Sequence, residues 1–573
     1  MKLALKALPI AHLCDVLKTN WNGSRRLVLI CALLMAFAAV PLHAQLTYEN
    51  LYNFSCNTGG CYPYDFGQLT AGIDGYLYGT AYNGPSNQES LGYGTIFKVS
   101  TDGSKYIDLW YFDGTTGELP YGALTAAWDG NFYGTTSQGG NHGNGTLFRF
   151  NPQSDTLTVL HHFTAAEGAP LAPPYGGVYG GLLYGVTGEG TIYSVTTSGA
   201  YKKLHNKAPG PMWGPFIYGT DLNLYGTTAT GGQHNMGTVF SVSTSGAINI
   251  VWSFTGGSDG SAPESSLYQA GDGSLYGTAD SGGSGSNGTF FKMTTSGSLI
   301  WSNSFDPYSG GFTCNNDGGN PSAALVPAGN GLFYGVASLG GANCDGTIFE
   351  VNSSGSFQKL FDLGECAACN FGEEADTTLL PFNGSFYGLT NMGGAPNGQT
   401  NPMGNLYSLT PQNLIPSITT LCCAYVGPEN PITVIGNGLS EVIQVTFGGV
   451  QAQFQLGSDT YLVAEVPTDA VDGPIVVTLA TGAQIESQTN IHIVPIITNL
   501  DPPSGPVGTQ VGIVGGGFAG ATKVTFGGVK ATNFTVVTPS LIQAIVPKHA
   551  KTGKVKVTTP NGTATSTQTF TVN

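Results

Sequence analysis

Charge is what this sequence has least of: only 9% of its 573 residues are Asp, Glu, Lys or Arg, with 19 basic groups against 35 acidic ones. Arginine is nearly missing, and beyond Arg25 and Arg26 the chain holds one, Arg149. That excludes the arginine cluster with which a sialidase-like site grips a carboxylate. A formal net charge of −16 argues against nucleic acid and anionic lipid as partners, since both need basic surface. Long apolar runs are also lacking, apart from Leu27–Val40, whose 14 residues are too few to span a bilayer. No P-loop, haem-attachment motif, EF-hand loop or Ser-His-Asp order is present.

What stands at the N-terminus has the layout of an export signal. Arg25 and Arg26 precede the apolar run, which ends near Leu42-His43-Ala44, so residues 1–44 are expected to be a signal peptide cleaved near Ala44. The mature chain then carries 14 basic against 34 acidic groups and no transmembrane segment, and is expected to be secreted or held at the cell surface. Export permits its eight cysteines to pair. Cys56/Cys61 and Cys366/Cys369 lie close together in corresponding loops, and Cys314 and Cys344 flank one repeat. All six are candidate disulfide residues; the adjacent Cys422 and Cys423 have no assigned partner.

Glycine (86 residues) and the Tyr and Phe side chains (27 and 29) dominate what is present. Their order is repetitive. A Tyr-Gly core recurs at Tyr78, Tyr133, Tyr184, Tyr225, Tyr276, Tyr334 and Tyr387, at separations of 55, 51, 41, 51, 58 and 53 residues. Each is followed by a Gly-Thr-x-aromatic motif, from Gly94-Thr95-Ile96-Phe97 to a degenerate Gly404-Asn405-Leu406-Tyr407. Within the second unit, 123–128, 132–136, 146–150 and 156–163 read as four short strands, with Asp129-Gly130 as a hairpin turn. Four strands at a period near 50 describe a propeller blade. The seventh unit lacks its fourth strand, and an orphan strand, Tyr48 to Phe54, opens the mature chain. The expected fold is therefore all-β: a seven-bladed β-propeller over 45–411, with the N-terminal strand closing the last blade and leaving no open edge.

These motifs, Leu-Tyr-Gly-Thr-Thr followed by Gly-Gly and Gly-Thr-(Val/Ile/Leu)-Phe, resemble the GloVer tandem repeat of exported bacterial choice-of-anchor proteins over roughly residues 46–410. Beyond the ring, Val445-Thr446-Phe447-Gly448-Gly449-Val450 returns as Val524-Thr525-Phe526-Gly527-Gly528-Val529. With Pro503-Ser504-Gly505-Pro506-Val507-Gly508, these segments resemble IPT/TIG immunoglobulin-like domains, implying two β-sandwiches at 416–494 and 495–573. The resemblance implies spacer or interaction roles for that pair.

Catalytic groups are harder to find. Most acids sit in tight turns, such as Asp74-Gly75, Asp129-Gly130 and Asp272-Gly273, where turn chemistry explains them. His142 and His234 occupy equivalent loops of non-adjacent repeats, too far apart to share a metal. Acids also recur in the loops between units (Asp113, Glu118, Glu167, Asp259, Asp317, Glu373, Glu374, Asp376), which would make one propeller face electronegative. A solvated rim and a structural Ca²⁺ site both fit that pattern, and no other cofactor is expected. Aromatic residues expected on the same face, Tyr64, Tyr121, Tyr175, Trp213 and Tyr308, are candidate ligand contacts. The expected function is non-catalytic extracellular binding or adhesion, the loop face engaging a glycan or protein. The alternatives are a secreted polysaccharide-active hydrolase or lyase, with two carboxylates about 5–10 Å apart, and a structural matrix component.

Overall fold

The computed structural model describes residues 46–573 apart from 56–62, 64–67, 73, 85–91, 128, 179–181, 220, 222, 271, 308–314, 330–331, 365–371, 374, 383, 391, 394–403, 412–416, 422–424, 438, 440–441 and 459–460. Cys56, Cys61, Cys314, Cys366, Cys369, Tyr64, Tyr308 and the expected signal peptide lie outside the described residues. Cys344 is disulfide-bonded.

Seven antiparallel sheets follow one another along the chain, as the repeats predict. The first blade pairs, from inside to outside, Thr70–Ala71, Tyr76–Ala81, Thr95–Ser100 and Tyr106–Tyr111. The inner strands of the next five blades are Thr125–Ala126, Tyr175–Val178, Ile217–Tyr218, Tyr268–Gln269 and Val326–Gly329. The seventh blade consists of Leu380–Phe382, Ser385–Leu389 and Asn405–Pro411, with Leu46–Asn53 as its outer strand. That closing strand runs antiparallel to its neighbour, from Leu46 opposite Pro411 to Asn53 opposite Asn405. Its rings also bind the flanking blades: Tyr48 stacks on Phe361 at 5.0 Å, and Tyr52 on Tyr106 at 4.5 Å.

The two repeated motifs turn out to be one packing device. A methyl group on Gly79, Gly134, Gly185, Gly277, Gly335 or Gly388 would lie 2.3–2.6 Å from the aromatic ring of the same unit's second motif. Only glycine leaves room for that ring, which is why Tyr-Gly and Gly-Thr-x-aromatic occur together. The fourth blade departs from this, and Met212 fills the space over Gly226. The tyrosine of the motif donates to the hairpin-turn aspartate in three blades: Tyr78 to Asp74, Tyr133 to Asp129 and Tyr225 to Asp221, at 2.7–2.8 Å. The threonine joins neighbours. Thr80, Thr135, Thr227 and Thr278 each donate to a main-chain carbonyl of the following blade, at Gly122, Ala172, Ser265 and Ala323.

Two sandwiches of identical strand order follow. In the first, Ser417–Leu421, Pro431–Asn437, Tyr461–Glu465 and Phe454–Ser458 face a sheet that includes Gln484–Ile493, Gly473–Leu479 and Val442–Phe447. The second repeats this with Ile496–Asp501, Gln510–Gly516, Leu541–Ile545 and Phe534–Thr538 facing Gly562–Val572, Gly553–Thr559, Lys523–Phe526 and Val529–Lys530. Alternating residues fill each interior, Val524, Phe526, Val555 and Val557 being wholly buried in the second.

The first sandwich does not stand clear of the ring. Tyr425 packs at 5.5 Å on Tyr218, which itself joins the sandwich core. Strands Ser417–Leu421 and Pro431–Asn437 lie against the inner strands Val326–Gly329 and Leu380–Phe382. One domain touching the innermost strands of the fourth, sixth and seventh blades must sit across the ring axis. Tyr218 immediately precedes the hairpin turn of its blade, so the covered mouth is the one on the hairpin-turn face. The opposite face, where each blade's outer strand passes to the next blade's inner strand, is the loop face.

Candidate functional site

The loop-face mouth is built from one equivalent position per blade. Every inner strand is preceded by a buried anchor, such as Leu69, Leu124, Phe216, Leu267, Leu325 and Leu379. In four blades the residue three positions before the anchor is followed directly by the carbonyl that accepts the threonine staple from the preceding blade. In blade order these positions hold Phe66, Tyr121, Leu171, Trp213, Glu264, Ser322 and Asp376, of which Phe66 lies outside the described residues. Staples fix the backbone beside Tyr121, Leu171, Glu264 and Ser322, and the six described residues stand at equivalent places around the ring.

That ring has two unlike halves. Tyr121 and Trp213 approach to 6.4 Å between ring centroids although they belong to the second and fourth blades. With Leu171 between them, they form a partly exposed aromatic and apolar arc. Across from it, Glu264, Ser322 and Asp376 supply two carboxylates and a hydroxyl, and Ser322 Oγ donates to Asp376 at 3.4 Å. The described inner strands themselves contain no Asp or Glu.

Of the candidate ligand contacts, Tyr121 and Trp213 lie together. Tyr175 is not with them. It opens an inner strand, its ring is 5.8 Å from Tyr218, and its hydroxyl is engaged by Tyr218's backbone, so it belongs to the packing between blades. Glu264 was missed by sequence reasoning. The signal that finds it is its offset of three residues from the repeat anchor, shared with Tyr121 and Trp213.

Three of the inter-blade acids serve their own loops. Asp113 Oδ1 accepts the amides and hydroxyls of Thr115 and Thr116 at 2.7–3.0 Å. Glu167 is buried, accepts from the Thr164 amide and hydroxyl, and lies 3.3 Å from His161 Nε2. Burial opposes its ionisation, but Thr164 and His161 outweigh this and hold its pKa below the ordinary value. Asp259, also buried, accepts from the amide and hydroxyl of Thr255 and from Trp252 Nε1. These carboxylates cap turns rather than project as a charged rim, and among the described residues no three His, Cys, Asp or Glu side chains gather as a metal site. His142 and His234 are exposed. His161, on the outer strand Thr156–His162, stacks on Tyr201 at 3.7 Å.

A stapled seven-blade ring with two sandwiches defines a propeller-plus-immunoglobulin-like protein. The chain belongs to the Gloeobacter/Verrucomicrobia repeat family, whose model matches residues 40–190 and 185–400. The IPT/TIG domain model matches 414–493 and 495–572. No curated protein matches the sequence. Similar solved structures include an oligogalacturonate lyase from Vibrio parahaemolyticus, 11% identical, over 64% of this chain and 97% of that one, TM-score 0.40. The surface glycan-binding proteins PbSGBP-B of Prevotella bryantii and SGBP-B of Bacteroides uniformis are 14% and 20% identical. Each matches 27% of this chain, with TM-scores of 0.20 and 0.15. The chain spans 42% and 49% of their lengths. At these identities and TM-scores the likenesses carry no functional argument. No helix of the described residues is long and apolar enough to cross a membrane.

Proposed function

We propose that the protein is an extracellular glycan-binding protein whose ligand enters the loop-face mouth of the propeller. The observation that carries this reading is the divided ring of equivalent positions. Rings such as Tyr121 and Trp213 offer faces on which the apolar side of a sugar stacks, while Glu264, Ser322 and Asp376 can accept or donate hydrogen bonds to its hydroxyls. The first sandwich docks on the opposite face and not at this mouth. The binding reading is non-catalytic, and the sandwiches present the ring.

The test is a screen of the purified chain against cell-wall and plant polysaccharides, followed by Trp213→Ala and Tyr121→Ala. Each substitution is expected to weaken glycan binding at least 10-fold while the melting temperature stays within a few degrees. Unchanged binding by both variants would remove the ring from the site. The two carboxylates favour one second reading, hydrolysis or lysis of a polysaccharide by an acid–base pair. Release of reducing ends that is abolished by Glu264→Gln or Asp376→Asn would establish it, and loss of binding without any release would exclude it.

A further inference from the structure

The two sandwiches share a fold and differ sharply in charge. Residues 416–494 contain seven acidic groups and neither lysine nor arginine, whereas 495–573 contain six lysines and a single acid, Asp501. The strand register shows where the difference lies. In the second sandwich Thr525 pairs with Lys556 on one side and with Lys530 on the other, and Lys523 pairs with Thr558. Directly paired residues share a sheet face, as do alternate residues of one strand. Lys523, Lys530, Lys554 and Lys556 therefore stand on one outer face, all exposed, with Val524, Val555 and Val557 buried behind them. Thr525, although it points outward, is only 6% exposed between its paired neighbours Lys530 and Lys556. Lys554 Nζ donates to the Thr567 carbonyl.

The same register in the first sandwich pairs Thr446 with Val476 and with Gln451, and Gln444 with Thr478. The positions of Lys523, Lys530 and Lys556 are thus held there by Gln444, Gln451 and Val476. The fold does not require the lysines, and none of the second sandwich's lysines forms an ion pair among the described residues.

We infer that this lysine face of the second sandwich docks an anionic polysaccharide bearing carboxylates along its length. Lys and Thr alternate across it. None of the second sandwich's exposed large apolar side chains stands on its strands, because Val514, Val537 and Ile545 lie on the opposite sheet and Val507 in a turn. A protein partner would want a buried aromatic or arginine anchor, and an inserting membrane surface would want an apolar one. Repeated point charges separated by hydroxyls suit a hydrated chain of charged sugars. Since the rest of the mature molecule is strongly acidic, such a polymer would be repelled elsewhere and held at this end.

The test uses the full chain and Lys523→Gln/Lys530→Gln/Lys556→Gln, with polygalacturonate as the probe and fully methyl-esterified pectin as the uncharged control. The wild type should bind polygalacturonate at 50 mM NaCl and lose at least 10-fold affinity at 300 mM. The triple variant should lose at least 10-fold at low salt, and the esterified polymer should show no dependence on the lysines. Equal binding by wild type and variant, or no binding by the wild type, would overturn the proposal. So would tighter lysine-dependent binding to phosphatidylglycerol vesicles or duplex DNA than to polygalacturonate. Because Tyr121 and Trp213 are untouched, failure here leaves the reading of the propeller mouth standing.

Discussion

At the scale of single residues, the glycine after the motif tyrosine is a tightly constrained position in a blade. In the second blade a Cβ on Gly134 would lie 2.5 Å from Phe148 Cζ and 3.1 Å from Leu124 Cδ2. Phe148 is wholly buried and cannot swing aside. Gly134→Ala should therefore cost about 1–3 kcal/mol as an overpacking strain. Phe148→Leu in the same chain should recover part of that loss, giving a coupling energy of opposite sign in a double-mutant cycle of chemical denaturation. Additive effects would show that the ring is not what the glycine accommodates. This pairing was legible in the sequence only as co-occurrence of two motifs, because nothing local says that residue 134 and residue 148 touch. The mouth was less legible still. Its seven positions hold Phe, Tyr, Leu, Trp, Glu, Ser and Asp, so no repeat marks them, and aromatic content alone drew in Tyr175, which the register assigns to packing between blades.

Among elements, the outer strand of the seventh blade carries most of the closure. The repeat count and the missing fourth strand were enough to place it, since every other unit shows its full set and an unpaired edge would be left without it. The structure adds that Leu46–Asn53 fastens three blades: it pairs with Asn405–Pro411, while Tyr48 reaches Phe361 of the sixth blade and Tyr52 reaches Tyr106 of the first. Deleting residues 46–53 should lower the melting temperature of the whole propeller and not trim a tail. A peptide spanning the deleted strand, added in excess, should restore much of the loss by mass action. A truncated chain that melts at the original temperature would show that closure lies elsewhere.

For the whole molecule, the first sandwich is part of the propeller rather than a free spacer. Sequence reading could not find this, because the contact joins Tyr218 to Tyr425, two residues far apart in the chain that share no motif. Tyr425 is also stacked on His492 at 4.8 Å, so the ring that meets the propeller is positioned by the sandwich's own sheet. An aromatic contact of this kind contributes about 0.5–1.5 kcal/mol beyond the area it buries. Tyr425→Ala should remove that and open the interface, and because Tyr425 also packs on the first sandwich's core it should lower that domain's own stability somewhat, leaving the propeller's core intact. Calorimetry of the wild type should then show propeller and first sandwich melting together, and the variant should show them separating. Small-angle scattering should register a larger radius of gyration for the variant at unchanged secondary structure. Identical scattering and a single shared transition in the variant would mean that the strands against Val326–Gly329 and Leu380–Phe382 hold the domain on their own. Separation would leave the hairpin-turn mouth uncovered. Glycan binding at the opposite face should survive it, since Tyr121 is positioned by a threonine staple between blades and lies against Trp213, away from the sandwich.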